Sequence, residues 1–202
     1  MKVDMARAAL VTLYVLLCSG CAMLSPVNVA SNKYMLNSIP LDLPEEKNHS
    51  ATLIVLTPET NPIYDTTQIA YTTEAHQIAY FGQNEWSATP SQMMLPLIVE
   101  TTSNTRYFRQ VVPAPDFGLH TFALRTAILE FNQDFTSAPA VLLLTMRFYL
   151  SREATNQLIA SKEVKVREAM SERTPYAGVV AANEAATKIL RELAKFVVEQ
   201  AR

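Results

Sequence analysis

Cysteine offers the clearest chemistry in this sequence, because a thiol that follows small residues near the start of a chain can accept a lipid. The 202-residue chain has two cysteines, and Cys21 directly follows Ser19-Gly20. Small residues at this place are typical of a signal-peptide cleavage site. Cleavage there would leave Cys21 as the first residue, with a diacylglycerol on its sulfur and an acyl chain such as palmitate on its amine. The sequence therefore predicts lipidation at Cys21.

The residues in front of Cys21 have the other parts of a bacterial export signal. Lys2 and Arg7 give a positive start, and an apolar core runs over residues 8–17. This core is much shorter than the roughly 20 residues that a membrane-spanning helix needs. We therefore predict that residues 1–20 are a lipoprotein signal peptide.

The segment around Cys21 resembles a bacterial lipobox, except that Cys18 stands three places earlier, where leucine is usual. The alternatives are lipidation of Cys18 itself, or an ordinary secretory signal with an incidental cysteine. Two or more acyl chains hold a protein stably on a membrane. The residue directly after the acceptor is Ala22 and not an aspartate. This resembles the sorting signal that sends enteric lipoproteins to the outer membrane. We therefore expect residues 21–32 to be a flexible tether at the periplasmic face of the bacterial outer membrane.

Charge and cysteine content exclude several classes of partner and fold. The formal net charge is −2 and no basic run occurs, so binding to nucleic acid is not expected. With Cys18 removed in the signal peptide and Cys21 acylated, no pair of thiols is left for a disulfide. The remaining length suits a single domain with a sizeable core, which we place at residues 33–202.

The polar residues that enzymes use are scattered along the chain. His49, His76 and His120 lie in separate loops or strand ends, without a second ligand at metal-binding spacing. Asp65 and Glu74 flank a short strand and fit solvated turns. There are four glycines, and neither a nucleophile elbow nor a phosphate-binding glycine loop occurs. A triad assembled in space stays open, but no nucleophile is singled out. We therefore expect no enzymatic activity, no metal and no cofactor besides the covalent lipid.

Apolar periodicity predicts an α+β domain, with a mostly antiparallel sheet and two helices packed on one face. The first helix has Thr89 as N-cap, Pro90 at its first position and Gln92 completing a capping box. Pro96 either kinks this helix or delays its start. The second helix, capped by Thr174, runs almost to the C-terminus. Strands are predicted at residues 33–36, 51–57, 68–72, 77–81, 106–112, 119–132, 141–151 and 158–168.

Alternation along the predicted strands assigns their faces. Ala127, Leu129 and Phe131 are predicted to share one side of their strand. In the next strand, every second residue from Leu142 to Leu150 is predicted to face the core. The last three strands follow one another through short links, which predicts an antiparallel meander, and the strands at 68–72 and 77–81 form a predicted hairpin.

Aromatic residues cluster along this hairpin and ahead of the first helix, at Tyr71, Tyr80, Phe81 and Trp86. Core packing with ordinary edge aromatics is one interpretation. The other is a partner-binding or lipid-contacting surface, because amphipathic aromatics are enriched at interfaces. If a partner binds this domain, we predict that these four residues contact it.

The same region carries a family resemblance. It contains Gln68-Ile69-Ala70-Tyr71, Ile78-Ala79-Tyr80-Phe81 and then Trp86 before a Pro-led helix. Further along come Arg106-Tyr107-Phe108-Arg109 and, in the final helix, Ala181-Ala182-Asn183. In these pieces the chain resembles the auxiliary lipoproteins of ABC-type transport systems, the PqiC-like group that accompanies mammalian-cell-entry (MCE) domain proteins.

The resemblance implies a non-enzymatic component of a system that moves lipids between the inner and outer membranes. Its partners would be an MCE-domain protein and the permease and ATPase of an ABC transporter. The chain would dock the conduit at the outer membrane, either alone or as a homo-oligomeric ring. Two other roles stay open: an envelope-assembly or peptidoglycan-synthase-regulating lipoprotein that binds a protein partner, and a periplasmic lipid carrier with its own cavity.

Overall fold

The computed structural model describes residues 31–44 and 49–202. The predicted signal peptide and its acceptor Cys21 lie outside the described residues, as does most of the predicted tether. From Ser31 to Arg202 the chain forms one compact unit. Its first strand already includes Asn32, the last residue of the predicted tether.

The described residues form nine strands and two helices. The strands are β1 (Asn32–Tyr34), β2 (His49–Val55), β3 (Glu59–Thr60), β4 (Gln68–Thr72), β5 (Ala79–Trp86), β6 (Phe108–Pro113), β7 (Phe122–Asp134), β8 (Val141–Arg152) and β9 (Gln157–Ala169). The helices are α1 (Pro90–Asn104) and α2 (Pro175–Gln200). The α+β class is confirmed.

β7 joins the two halves of the sheet. β8 pairs along one edge of β7, while β2, β3 and β4 follow one another along the other edge. These three strands run parallel to β7, from Leu53 opposite Phe122 to Tyr71 opposite Gln133. β6 extends the sheet beyond β2, and β5 and β1 extend it beyond β4.

The pairing of neighbouring strands follows the sequence prediction. β7, β8 and β9 form the antiparallel meander, and β4 and β5 form the antiparallel hairpin. The rest of the sheet is parallel, because β1, β2, β3 and β4 pair with strands that are distant in the chain. The sheet is therefore mixed, with its long antiparallel ladders at the C-terminal end of the sequence.

A bulge reverses the faces of β7 halfway along the strand. The register against β8 shifts between Ile128 and Glu130, so Leu129 is the extra residue. As a result Ile128 and Phe131 both point into the core, at 0% and 4% exposure, while Leu129 is only partly buried. The prediction that Leu129 shares a side with Phe131 is wrong, because strict alternation does not hold across an inserted residue.

The helices begin where their caps predict. The Gln92 side-chain oxygen accepts a 3.1 Å hydrogen bond from the N–H of Thr89, and α1 begins at Pro90 and continues through Pro96. In α2 the Thr174 hydroxyl oxygen accepts a 3.2 Å hydrogen bond from a first-turn N–H. Within the described residues, neither helix combines the length and apolarity needed to cross a bilayer.

The core lies between the sheet and the two helices. The predicted inward row of β8 is at most 1% exposed, and it consists of Leu142, Leu144, Met146, Phe148 and Leu150. α2 contributes Ile189, Leu190 and Leu193, each at 0% exposure, to the same cluster, and β2 adds Leu53 and Val55. Side chains therefore fill the space between sheet and helices.

α2 approaches β7 closely at Gly178. A Cβ atom built at this position would lie 2.0 Å from the side-chain amide carbon of Gln133. Gln133 is fully buried, and its Nε2 donates a 3.1 Å hydrogen bond to the carbonyl oxygen of Pro175. Gly178 has no positive φ, so lack of room, and not backbone conformation, is the reason for glycine here.

Candidate functional site

Two of the four aromatic residues singled out in the sequence lie together. The rings of Tyr71 and Phe81 stack at 4.3 Å between centroids, and Phe135 meets both rings edge-on. Arg173 lies 5.3 Å from the Phe135 ring and donates a 2.7 Å hydrogen bond to the Phe135 carbonyl oxygen. Tyr71 and Phe81 are partly buried. This cluster therefore packs the end of the hairpin and exposes only part of its surface to solvent.

The other two residues are elsewhere. The Tyr80 hydroxyl donates a 2.8 Å hydrogen bond to the carbonyl oxygen of Ile63. Trp86 is 2% exposed and stacks on Phe131 at 5.0 Å and 12°. The four residues thus do not form one continuous surface, and the indole of Trp86 is part of the core.

The histidines are also separated. His49 stacks on Tyr107 at 4.3 Å, and His76 occupies the β4–β5 turn with a φ of 67°. His120 Nε2 and Asp116 Oδ2 are 2.9 Å apart. No group of three or more histidine, cysteine, aspartate or glutamate residues suited to a metal occurs in the described part of the chain.

The segment between β6 and β7 carries two apolar side chains that sequence reasoning missed. Phe117 is fully exposed and Leu119 is 94% exposed. We call residues 114–121 the crossover loop, since they connect two parallel strands that lie on either side of β2. The signal that could have found the pair is their position among Pro115, Asp116 and Gly118, which favour a loop rather than a buried strand.

After the bulge, β7 presents a polar row on the sheet face opposite the core. Every second residue lines a cavity of about 400 Å³: Glu130, Asn132 and Asp134. Tyr64 and the His76 turn form other parts of its wall. We call this the β7 cavity. Burial, and then the negative charge of Glu130, raise the pKa of the Tyr64 phenol.

Asp134 closes one end of this row and is tied to the following turn. Thr136 donates from its N–H and hydroxyl to one carboxylate oxygen, at 2.8 and 2.6 Å, and Ser137 donates to the other at 3.0 Å. Burial raises the pKa of Asp134, but these hydrogen bonds outweigh it and hold the pKa below its usual value. The carboxylate is therefore ionised at neutral pH.

Replacing Asp134 with asparagine is expected to lower the free energy of unfolding by about 1–2 kcal/mol at pH 7, because an amide cannot accept all these hydrogen bonds. The lowered pKa stabilises the fold above the unfolded-state pKa near 4 and loses its effect as pH falls through the folded-state pKa. The difference between Asp134→Asn and wild type should therefore shrink at pH 3. Urea unfolding at both pH values measures it, with Asp65→Asn at an exposed position as control. An equal loss at both pH values would contradict the role of the charge.

Two further cavities continue along β7 and β8. One, of about 380 Å³, shares Tyr64 and Glu130 with the β7 cavity and is bordered by Arg147 and Glu163, whose Nη2 and carboxylate oxygen are 2.6 Å apart. The other, of about 360 Å³, is lined by Arg125 among others. The face opposite the core is therefore grooved and polar.

Solved structures share this fold. Protein XCC0632 from Xanthomonas campestris has a TM-score of 0.76 and 15% identity, over 85% of this chain and 97% of that chain. An uncharacterized protein has a TM-score of 0.65 and 12% identity, over 86% and 99%. Hypothetical protein CT253 from Chlamydia trachomatis has a TM-score of 0.51 and 9% identity, over 75% and 98%. At these identities the likeness shows the fold alone.

The sequence itself gives the family. No curated protein matches the chain significantly. The family described as ABC-type transport auxiliary lipoprotein component matches residues 34–194, which is nearly the whole compact unit. This match confirms the resemblance found in the hairpin, the first helix and the final helix. The chain belongs to the family of ABC-type transport auxiliary lipoprotein components.

Proposed function

We propose that this protein is a non-catalytic component of a lipid transport system formed by an ABC transporter and an MCE-domain protein. Lipid on Cys21 holds it at the periplasmic face of the outer membrane, where it docks the far end of the conduit. The observation that carries this proposal is the family match over residues 34–194. The lipidated N-terminus expected from the sequence supplies the anchor that such a role requires.

The filled core favours an adaptor over a lipid carrier. A carrier needs an apolar space between sheet and helices, but the inward row of β8 and the facing side chains of α2 are closed to solvent. The three cavities along β7 and β8 lie on the opposite, polar face, and their volumes of about 360–400 Å³ are near the lower end of the range for small-molecule sites. An envelope-assembly or peptidoglycan-synthase-regulating lipoprotein is the second candidate, since it too would bind a protein through its surface.

Crosslinking and affinity capture from native membranes test the proposal. The full-length chain carries a tag after Arg202, and captured proteins and lipids are both identified. We expect an MCE-domain protein together with ABC transporter subunits. A barrel-assembly factor or wall synthase in their place would favour the second candidate, and one lipid per chain without a protein partner would favour the carrier. The mass of the solubilised complex tests the predicted homo-oligomer.

The same capture experiment locates the docking surface. The crossover loop and the hairpin aromatics are the two surfaces to compare. Phe117→Ser combined with Leu119→Ser changes the first surface without touching the core, since both side chains are exposed. Leu41→Ser, at a position that is 96% exposed, is the matched control. Loss of capture in the loop variant alone assigns docking to the loop. Normal capture there, with loss in a Phe81→Ser variant whose unfolding midpoint matches wild type, assigns docking to the hairpin.

Replacing Cys21 with serine is expected to abolish palmitate labelling and to move the protein from the membrane fraction to the soluble periplasmic fraction. The reason is that each buried methylene contributes about 0.8 kcal/mol to membrane binding, and serine lacks the thiol that accepts the lipid. Cys18→Ser is the matched control and should leave labelling and fractionation unchanged. Labelling that persists in Cys21→Ser and disappears in Cys18→Ser would move the acceptor to Cys18.

A further inference from the structure

We propose that the β7 cavity binds a ligand through an ammonium group. Three features of the cavity point to this chemistry: a buried acceptor without a partner, two carboxylates, and an aromatic wall. They are supplied by the row Glu130, Asn132 and Asp134 on β7 and by Tyr64 beside it.

Asn132 is the central feature of the row. Its side chain lines the cavity although the residue is only 6% exposed. Its Nδ2 donates a 2.9 Å hydrogen bond to the Thr72 hydroxyl, while its buried Oδ1 has no hydrogen-bond partner. An unpaired buried acceptor destabilises a fold. Because Oδ1 is closed to solvent, a ligand donor in the cavity would satisfy it after the terminal amide of Asn132 turns toward the cavity.

The charges around Asn132 select a cation. Glu130 and Asp134 stand two positions away on either side, and among the described residues His76 is the only basic side chain that lines the cavity. Neither carboxylate takes part in an ion pair within the described part of the chain. Glu130 accepts only a 3.0 Å hydrogen bond from the Thr145 hydroxyl among the described side chains. Charge-assisted hydrogen bonds from an ammonium would therefore find acceptors along the row.

The basic side chains near the β7 cavity make their direct contacts with residues other than Glu130 and Asp134. Arg147 and Lys165 both meet Glu163, with nitrogen–oxygen distances of 2.6 and 3.6 Å. Arg167 donates a 3.4 Å hydrogen bond to Ser137. The negative charge of the β7 cavity is thus not cancelled by a direct contact at its wall.

The apolar part of the wall favours an organic ammonium. Tyr64 lines the cavity, and an aromatic ring attracts a cation. Ile63, Ile78 and Leu143 offer contact to methylene groups next to the nitrogen. An ethanolamine phospholipid headgroup and free ethanolamine share this chemistry. The site is defined by the cavity alone, and its test uses no transport partner, so it succeeds or fails independently of the proposed function.

The test titrates two probes into the acylated, full-length chain in detergent and follows binding by calorimetry. One probe is glycerophosphoethanolamine, the soluble form of the headgroup, and the other is free ethanolamine. Ethylene glycol, with a hydroxyl in place of the ammonium, is the neutral control and should not bind. Tighter binding of glycerophosphoethanolamine assigns the ligand to the headgroup, and equal or weaker binding assigns it to the free amine. Failure of both ammonium probes to bind overturns the proposal.

Two substitutions test whether the ammonium probes bind in the β7 cavity. Asn132→Leu and Glu130→Gln should each weaken binding about tenfold or more, because each removes an acceptor for the ammonium. Asn132→Leu removes both an unpaired buried acceptor and the 2.9 Å hydrogen bond to the Thr72 hydroxyl. These two changes act on stability in opposite directions, so its unfolding midpoint should stay close to that of wild type. Glu85→Gln, which makes the same change outside the cavity, should bind normally. Unchanged affinity in both cavity variants, or ethylene glycol that binds as tightly as ethanolamine, overturns the proposal.

Discussion

Replacing Trp86 with alanine is expected to lower the free energy of unfolding by about 3–5 kcal/mol. The indole is 2% exposed and stacks on Phe131 of β7, so its removal leaves a cavity where β5 meets the core. The backbone of Trp86 also joins the end of β5 to the segment before β4, because its N–H donates a 2.7 Å hydrogen bond to the carbonyl oxygen of Thr67. A loss of this size is a large part of the 5–15 kcal/mol that stabilises a typical domain.

Urea unfolding measures this loss, and Tyr176→Ala is the matched control. Tyr176 is an aromatic residue that is 62% exposed on α2, so its truncation should change the free energy of unfolding by less than about 1 kcal/mol. A Trp86→Ala variant as stable as Tyr176→Ala would show that the indole is not a core residue. If the expected loss is found, failure of Trp86→Ala to capture a partner reports unfolding and gives no information on docking.

Replacing Gly178 with alanine is expected to destabilise the protein by about 2–3 kcal/mol, although alanine is the better helix former by about 1 kcal/mol. The new methyl would lie 2.0 Å from the Gln133 side chain. Gln133 has no route to solvent, because it is fully buried, and moving it breaks its hydrogen bond to the Pro175 carbonyl oxygen. The cost of displacing a buried amide therefore exceeds the gain in helix propensity.

Gly82→Ala is the matched control for this prediction. No atom lies within 4 Å of a Cβ built at Gly82, and neither glycine has a positive φ. Gly82→Ala should therefore be neutral or slightly stabilising. Thermal unfolding compares the two variants with a third, Gly178→Ala combined with Gln133→Ala, in which the added methyl has room. Gln133→Ala alone is the reference for losing the Gln133 side chain. A methyl at Gly178 that costs as much stability in that background as in wild type would contradict the steric explanation.

The elements that could be predicted are those whose pattern depends only on residues nearby in the sequence. β8 and α2 bury one side each, so their periods of two and about 3.6 residues are visible in the sequence. The Thr89 and Thr174 caps depend only on neighbouring residues, which is why both helix starts are confirmed. The α+β class follows from the order of these elements.

The parallel half of the sheet could not be predicted in the same way. β2, β3 and β4 take their partner from a strand that lies far along the chain, and no local pattern records that choice. The bulge at Leu129 reverses which residues of β7 face the core, so the predicted alternation of buried and exposed residues fails in the second half of the strand. For Trp86 the sequence leaves core packing and a partner surface both open, because its position beside the hairpin does not show that the indole reaches Phe131.

The central place of β7 also governs the order in which this domain can fold. β2, β3 and β4 emerge early and each lacks a neighbour until β7 emerges, although β4 can already pair with β5 and β2 with β6. The Thr52 N–H and the Thr121 hydroxyl, which form a hydrogen bond between β2 and the crossover loop, are 69 positions apart. Closing loops of this length before any contact forms makes folding slow. The β4–β5 hairpin and the β7–β9 meander are the units that can form locally. While the chain emerges, β2, β3 and β4 therefore expose the edges that β7 covers in the folded domain, and such unpaired edges promote aggregation until Asp134 has appeared.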